Sequence, residues 1–363
     1  MSTETVILFD AENPFIFASG KTLPSVTVAY ETYGEFTGDN AVYLCHALTG
    51  DAHAARGDSD APGWWDKMVG PGKPIDTNRF FVVCSNLLGG CQGTTGPSSI
   101  NPETGNPYGL SFPLLSMSDF VTIHRALATH LGVTKWHAVV GGSLGGMQVL
   151  QWSLDYPEEV TNAVIIAASS RLTAQNIAFS AVARQAIMSD QDFDNGDFAR
   201  FGHTPSTGLS IARMMAHITY LSEEAFATKF GRRPQFDEID PGFTTDFAVE
   251  GYLLHQGEVF LNRFDALSYL YLSRVMDYFD PFSTDSKQNL VAHPVNFLII
   301  SFDSDWRFST GHSLRMMRNL AETKTPVSFR EIHSPWGHDS FLLELDEYLD
   351  TVRAFLNAKR KQS

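Results

Sequence analysis

Ser143 stands in the run Gly141-Gly142-Ser143-Leu144-Gly145, and two late loops carry histidines with carboxylates close by. A serine hydroxyl attacks a carbonyl carbon only when a base takes its proton and a third group orients that base. The chain offers candidates for each part. Ser301-Phe302-Asp303-Ser304-Asp305-Trp306-Arg307 holds two aspartates, and His333-Ser334-Pro335-Trp336-Gly337-His338-Asp339 holds two histidines. His338 is the better base, because its Gly-His-Asp loop lies directly before the last apolar helix and can present an imidazole. His333 ends a strand and suits packing. Between Asp303 and Asp305 the residues alone do not choose.

These loops need a frame to hold them. Trp136 to Val140 reads as a buried strand running into the Gly-x-Ser-x-Gly turn, and an apolar helix follows from about Leu144 to Tyr156, stopped by Pro157. Strand, tight turn and helix are the context of a nucleophile elbow, whereas the bare pattern also occurs in ordinary glycine-rich turns. The elbow strains its serine, so Gly141 and Gly145 must leave clearance beneath it. The helix N-terminus then aims its free N–H groups at whatever the serine attacks. The apolar run Ala41-Val42-Tyr43-Leu44-Cys45 suits a strand buried on both faces. It ends in His46-Ala47-Leu48-Thr49-Gly50, where the Leu48 N–H is placed to complete an oxyanion hole with that of Leu144. His46 and the nearby His53 are the further histidines of interest.

Buried runs recur at Phe80-Phe81-Val82-Val83-Cys84 and Ala163-Val164-Ile165-Ile166-Ala167-Ala168, with a helix at about Met117 to His130 closed by Gly132. Strand and helix alternate, which predicts an α/β fold with a mostly parallel sheet flanked by helices. From about Arg171 to Leu290 the rhythm breaks into helical periodicity with no clear buried strand. It resumes at Val295 to Ile300, a helix near His312 to Leu320, a strand at Val327 to Ile332 and a helix through Leu349 to Leu356. The expected organisation is a core of residues 1–170 and 291–363 with a helical lid inserted at 171–290. Lys359-Arg360-Lys361 reads as a solvated basic tail.

Composition excludes several classes. At 363 residues, 43% hydrophobic and 18% charged, the chain folds around a substantial core. A formal net charge of −15 repels polyanions and argues against nucleic-acid binding. No long uninterrupted apolar run predicts a membrane span, and Met1 to Thr5 lack the basic start of a signal peptide. Cys45, Cys84 and Cys91 are an odd, scattered set without metal-ligand spacing, as expected of a cytoplasmic protein with neither metal site nor disulfide framework.

Over nearly its whole length the chain resembles the homoserine O-acyltransferases of the α/β-hydrolase fold. The stretches that carry the resemblance are Tyr30-Glu31-Thr32-Tyr33-Gly34, His46 to Gly50, Leu88 to Pro97 with Asn101-Pro102, and Gly141 to Gln148. To these add Ile211-Ala212-Arg213-Met214, Arg263-Phe264-Asp265 and Gly337-His338-Asp339-Ser340-Phe341-Leu342. The resemblance implies Asp305 as the triad acid, a homodimer, a helical lid over a narrow tunnel, and a place in methionine biosynthesis. It implies no cofactor, acyl-CoA being a co-substrate. The implied reaction is ping-pong: Ser143, deprotonated by His338, takes the acyl group from CoA, and the L-homoserine hydroxyl then takes it from the serine. Arg213 would hold the homoserine carboxylate and Asp339 its ammonium, since a zwitterion needs both signs.

Relatives that use succinyl-CoA resemble this chain at Asp305-Trp306-Arg307-Phe308-Ser309, and an arginine beside the acyl pocket suits the distal carboxylate of a succinyl group. Against an acetyl methyl it would be a buried unpaired charge. The loop Cys91 to Ser99 looks closer to acetyl-CoA-using relatives. Succinyl-CoA is the expected donor and acetyl-CoA the alternative. A carboxylesterase or thioesterase would share the triad and fold, and a scaffold protein on the same fold would have no use for it. Serine as acceptor differs from homoserine by one methylene, which a pocket discriminates only about 10- to 200-fold.

Overall fold

The computed structural model describes residues 3–57, 59–236 and 241–358; the basic segment at 359–361 lies outside them. Its centre is an eight-stranded sheet built from β1 (Glu4–Phe9), β2 (Val26–Tyr33), β3 (Ala41–Cys45), β4 (Phe81–Ser85), β5 (Trp136–Gly142), β6 (Val160–Ile166), β7 (Asn296–Phe302) and β8 (Val327–Ile332). The spatial order is β1-β2-β4-β3-β5-β6-β7-β8. β2 runs antiparallel to both β1 and β4, and every pairing from β4 to β8 is parallel. The parallel strands read as unbroken apolar runs because helices cover both of their faces.

Side chains alternate between those faces. Tyr43, Ile165 and Ile299 pack with Phe120, Ile123 and Leu127 of α1 (Met117–His130) and Met147 and Leu150 of α2 (Leu144–Asp155). Leu44, Val164 and Ile300 pack the other way, against Tyr348, Val352 and Leu356 of the last helix, Asp346–Asn357. A capping box starts α1: Ser116 Oγ accepts from the Asp119 N–H while the Asp119 carboxylate accepts from the Ser116 N–H. Such a cap contributes about 1 kcal/mol.

Between β6 and β7 the chain forms α3 (Ala174–Met188), α4 (Ser206–Tyr220), α5 (Glu223–Lys229), α6 (Ala248–Leu261) and α7 (Ala266–Tyr278). α4 packs against both α3 and α6. Its buried Leu209 and Ala212, with Phe260 of α6 and Leu272 of α7, join the same apolar cluster as α1 and α2. β6 begins and ends earlier than its apolar run suggests. Ala167 has φ +46°, so the chain leaves the strand at Ile166 and turns toward the helices. Among the described residues no helix is long and apolar enough to cross a membrane.

Candidate active site

β5 delivers Ser143 directly to α2. The serine has φ +58° and ψ −123°, a conformation that costs an L-residue on the order of 1–3 kcal/mol. Its N–H donates to the Ile166 carbonyl at 2.9 Å, which pins the turn to the neighbouring strand. The glycines give room for the close approach. A Cβ on Gly145 would lie 1.9 Å from the Cys45 carbonyl oxygen, and one on Gly141 would lie 2.4 Å from the Gly145 backbone. Ser143 occupies the N-cap of α2, yet its hydroxyl caps no backbone N–H.

That hydroxyl lies 2.9 Å from His338 Nε2, and His338 Nδ1 lies 2.7 Å from Asp305 Oδ2. With Nδ1–H donated to the carboxylate, Nε2 is left to accept from the serine. The other Asp305 oxygen accepts from the Arg307 and Phe308 N–H groups at 3.0 and 2.8 Å, so a turn of backbone fixes the acid. Both Asp305 and His338 are buried. Rings of Phe308, Phe341 and Tyr220 surround the imidazole with centroids 5.2, 5.5 and 6.0 Å away, which keeps water from the pair.

Each of the two competing aspartates bonds one of the two histidines. Asp303 Oδ2 bonds His333 Nδ1 at 2.6 Å, but His333 stands out in solvent rather than packing, and that pair does not reach the serine. His46 and His53 also stand apart from the hydroxyl. His46 is buried against the Ala47 carbonyl and Asn86, and His53 bonds Glu31 at 2.9 Å.

The loop after β3 lies against the start of α2, for the Cys45 and His46 carbonyls are the nearest atoms to a Cβ at Gly145. Leu144 is the first residue of α2, so its N–H has no intrahelical acceptor. In the turn that holds Leu48, the Gly50 N–H donates to the Ala47 carbonyl, whereas the Leu48 N–H takes no part.

One face of α4 turns toward Thr49 and His338. Arg213, His217 and Tyr220 recur at i, i+4 and i+7 on this helix. Arg213 Nη1 reaches Thr49 Oγ1 at 3.3 Å, its guanidinium lies 4.6 Å from the centroid of Phe260, and its buried Nε has no partner among the described residues. Asp339 follows His338, and burial pushes its carboxyl up to about 6, opposed by the neighbouring His338 and Arg213. His217 bonds the Tyr252 hydroxyl at 2.9 Å through Nδ1, and burial with the adjacent Arg213 and Lys229 lowers it to about 3.

Arg307 turns inward and is 8% exposed. Its Nη1 donates to Thr219 Oγ1 at 2.6 Å, and its guanidinium lies 5.7 Å from the Tyr220 centroid and 5.6 Å from that of Phe308. Among the described residues it makes no ion pair. Neither Thr219 nor Tyr220 lies in the motifs that mark the site in the sequence. Tyr220 was nonetheless recoverable from the seven-residue spacing to Arg213, which places both on one helical face.

A family model described as the alpha/beta hydrolase fold matches residues 40–345. A homoserine O-succinyltransferase of Magnetococcus marinus is 53% identical, with 98% of this chain and 94% of that protein covered. One of a Nocardioides species is also 53% identical, with 98% of each covered. Among solved structures, homoserine O-acetyltransferase from Bacillus anthracis superposes with a TM-score of 0.89 at 27% identity, covering 99% of this chain and 98% of that one. Esterase E22 superposes with a TM-score of 0.86 at 26% identity, covering 98% of this chain and 100% of that one.

Proposed function

The chain belongs to the homoserine O-succinyltransferases of the α/β-hydrolase fold, which are acyltransferases, and from that premise we propose that Ser143 carries a succinyl group from succinyl-CoA to L-homoserine. The observation that carries this reading is the hydrogen-bonded chain from Ser143 through His338 to Asp305, with the buried Arg307 beside it lacking a carboxylate partner among the described residues.

His338 Nε2 takes the hydroxyl proton as Ser143 Oγ bonds the thioester carbon. The carbonyl electron pair moves to oxygen, where the Leu48 and Leu144 N–H groups receive it. Collapse breaks the C–S bond, and the imidazolium proton goes to the leaving CoA sulfur. In the second half the homoserine hydroxyl gives its proton to His338 and attacks the acyl-serine. Collapse then returns that proton to Ser143 and frees O-succinylhomoserine. Asp305 keeps the imidazole in one tautomer and offsets its positive charge in both halves. No step calls for a cofactor.

The distal succinyl carboxylate gives Arg307 the partner that the protein withholds, while Arg213 and Asp339 take the carboxylate and ammonium of homoserine. Residues 171–290 act as the lid that keeps water from the acyl-enzyme. Exposed Ile211 and Ile218 on α4, with Leu254 and Val259 on the adjoining α6, support a homodimer joined through the lid. Three free thiols suit the reducing cytoplasm.

The deciding experiment is thiol release from succinyl-CoA and acetyl-CoA, each with and without homoserine. Release that needs homoserine and favours succinyl-CoA is expected. Homoserine-independent release would point instead to hydrolysis, the reading that the likeness to esterase E22 favours.

A further inference from the structure

Behind the elbow, four buried polar side chains form one connected path through an otherwise apolar core, and the path ends on the backbone carbonyl of His46. Tyr43, Ser85, His124, Gln148 and His46 are each at most 1% exposed. Such groups stay buried without penalty only when each finds its partner, and aliphatic side chains of like volume would serve stability as well.

The direction of every bond in the path follows from one residue. Gln148 Nε2 lies 3.0 Å from the His46 carbonyl oxygen and 3.3 Å from the Leu144 carbonyl oxygen. Two acceptors on one atom require the amide NH₂ there, one hydrogen for each. Gln148 Oε1 must then accept from His124 Nε2, 2.9 Å away, which leaves His124 Nδ1 to accept from the Tyr43 hydroxyl at 2.7 Å. The Tyr43 oxygen in turn accepts from Ser85 Oγ. Burial lowers His124 to about 4, so the imidazole is neutral at physiological pH, as this sequence of donors needs.

The two carbonyls that Gln148 grips belong to the two backbone segments that carry the oxyanion donors. His46 lies two residues before Leu48, and the other carbonyl is that of Leu144 itself. We propose that Gln148 is a positioning residue that sets the spacing of the Leu48 and Leu144 N–H groups, with His124, Tyr43 and Ser85 fixing its amide from behind. This rests on the acyl-serine reading, because it assumes that an oxyanion forms on an acyl group bound to Ser143. Donors aimed at a developing charge act through their geometry, and a misplacement of about 1 Å can cost about 100-fold in rate.

The test compares wild type with Gln148→Met, which keeps the volume and removes the amide, and with Tyr43→Phe, which deletes one hydroxyl at the far end. Two quantities are read on each protein: kcat and KM with succinyl-CoA and homoserine, and the affinity of trifluoroacetonyl-CoA. This ketone takes the Ser143 oxygen at its carbonyl carbon, the serine proton passes to His338, and the ketone oxygen becomes an oxyanion. Gln148→Met is expected to lower kcat about 10- to 100-fold with KM values within about 3-fold, and to weaken the ketone by the same factor. Tyr43→Phe is expected to move both quantities in the same direction by about 3- to 10-fold, and it decides the matter if Gln148→Met does not fold. Unchanged ketone affinity in a folded variant with reduced kcat would overturn the proposal, as would kcat within about 2-fold of wild type. The ketone measurement is independent of which acyl group is natural. A wild type that ignores succinyl-CoA but binds the ketone would therefore count against the donor assignment alone. A wild type that binds trifluoroacetonyl-CoA no better than acetonyl-CoA has no oxyanion hole, and the inference falls with it.

Discussion

Arg307 is tied to Asp305 by its main chain and freed from it by its side chain. Its N–H donates to Asp305 Oδ1 at 3.0 Å, while its guanidinium turns away to Thr219 Oγ1 at 2.6 Å. Replacing the side chain therefore leaves the support of the triad acid in place. Arg307→Leu is expected to lower kcat/KM for succinyl-CoA about 10- to 100-fold, because a hydrogen bond to a charged group contributes about 1.5–3 kcal/mol. With acetyl-CoA the same variant should hold or gain activity, since a desolvated charge has gone. Steady-state rates with both donors check this. Equal losses on the two would place the arginine's effect in the triad and not in the acyl pocket.

The two aspartates of the loop after β7 separate cleanly by burial. Asp305→Asn turns an amide toward His338 and favours the tautomer that cannot accept from Ser143, so kcat should fall about 10⁴-fold with little change in fold. Asp303 pairs with an exposed histidine, and exposed pairs contribute about 0–1 kcal/mol. Asp303→Asn should therefore keep kcat within about 2-fold. A large loss in Asp303→Asn would mean that the surface pair holds the catalytic loop in shape.

Much of this was legible in the chain because the signals were local. The elbow needs a strand, a glycine-flanked serine and a helix in immediate succession, and each has its own pattern around Ser143. The parallel strands announced themselves as apolar runs, and the helices between β6 and β7 as a change of period. What sequence could not decide was which of Asp303 and Asp305 faces inward. They sit two residues apart, and the difference lies in which backbone N–H groups a turn presents to the carboxylate. The path from Ser85 to Gln148 was hidden for a related reason. Its residues come from two strands and two helices, and a histidine on the apolar face of α1 looks in sequence like any packed histidine.

Gly145 gives a test of the elbow that bears on packing alone. A methyl group there would lie 1.9 Å from the Cys45 backbone carbonyl oxygen, with no flexible side chain to yield. Gly145→Ala should destabilise by about 1–3 kcal/mol or more and remove nearly all activity, because β3 or α2 must shift. Gly311, in the helix Thr310–Ala321, is the control. A Cβ there meets only Ser309 Oγ, at 3.6 Å, and Gly311→Ala should be neutral or stabilising by up to about 1 kcal/mol. Thermal melts of the two variants decide it. A wild-type melting temperature for Gly145→Ala would mean that α2 can retreat from the loop after β3.

Asp339 should show opposite effects on stability and on binding. Burial raises its carboxyl from 3.8 to about 6, with partial relief from His338 and Arg213. Between those values the folded protein holds a proton that the unfolded chain has released. Stability therefore falls as pH rises through this window, and above about pH 6 the folded state carries the whole penalty of a buried charge. Asp339→Asn removes a group that titrates and should melt at a higher temperature than wild type above pH 6, with the difference closing toward pH 4. Binding runs the other way. If the carboxylate pairs with the homoserine ammonium, the wild-type KM for homoserine should rise as pH drops below about 6. In Asp339→Asn it should be high and nearly flat across that range, with KM for the acyl donor little changed. Melting curves and homoserine KM values from pH 4.5 to 8 on both proteins read the two effects separately. A stabilised variant with an unaltered homoserine KM would remove Asp339 from the acceptor site and leave it as a strained neighbour of the triad.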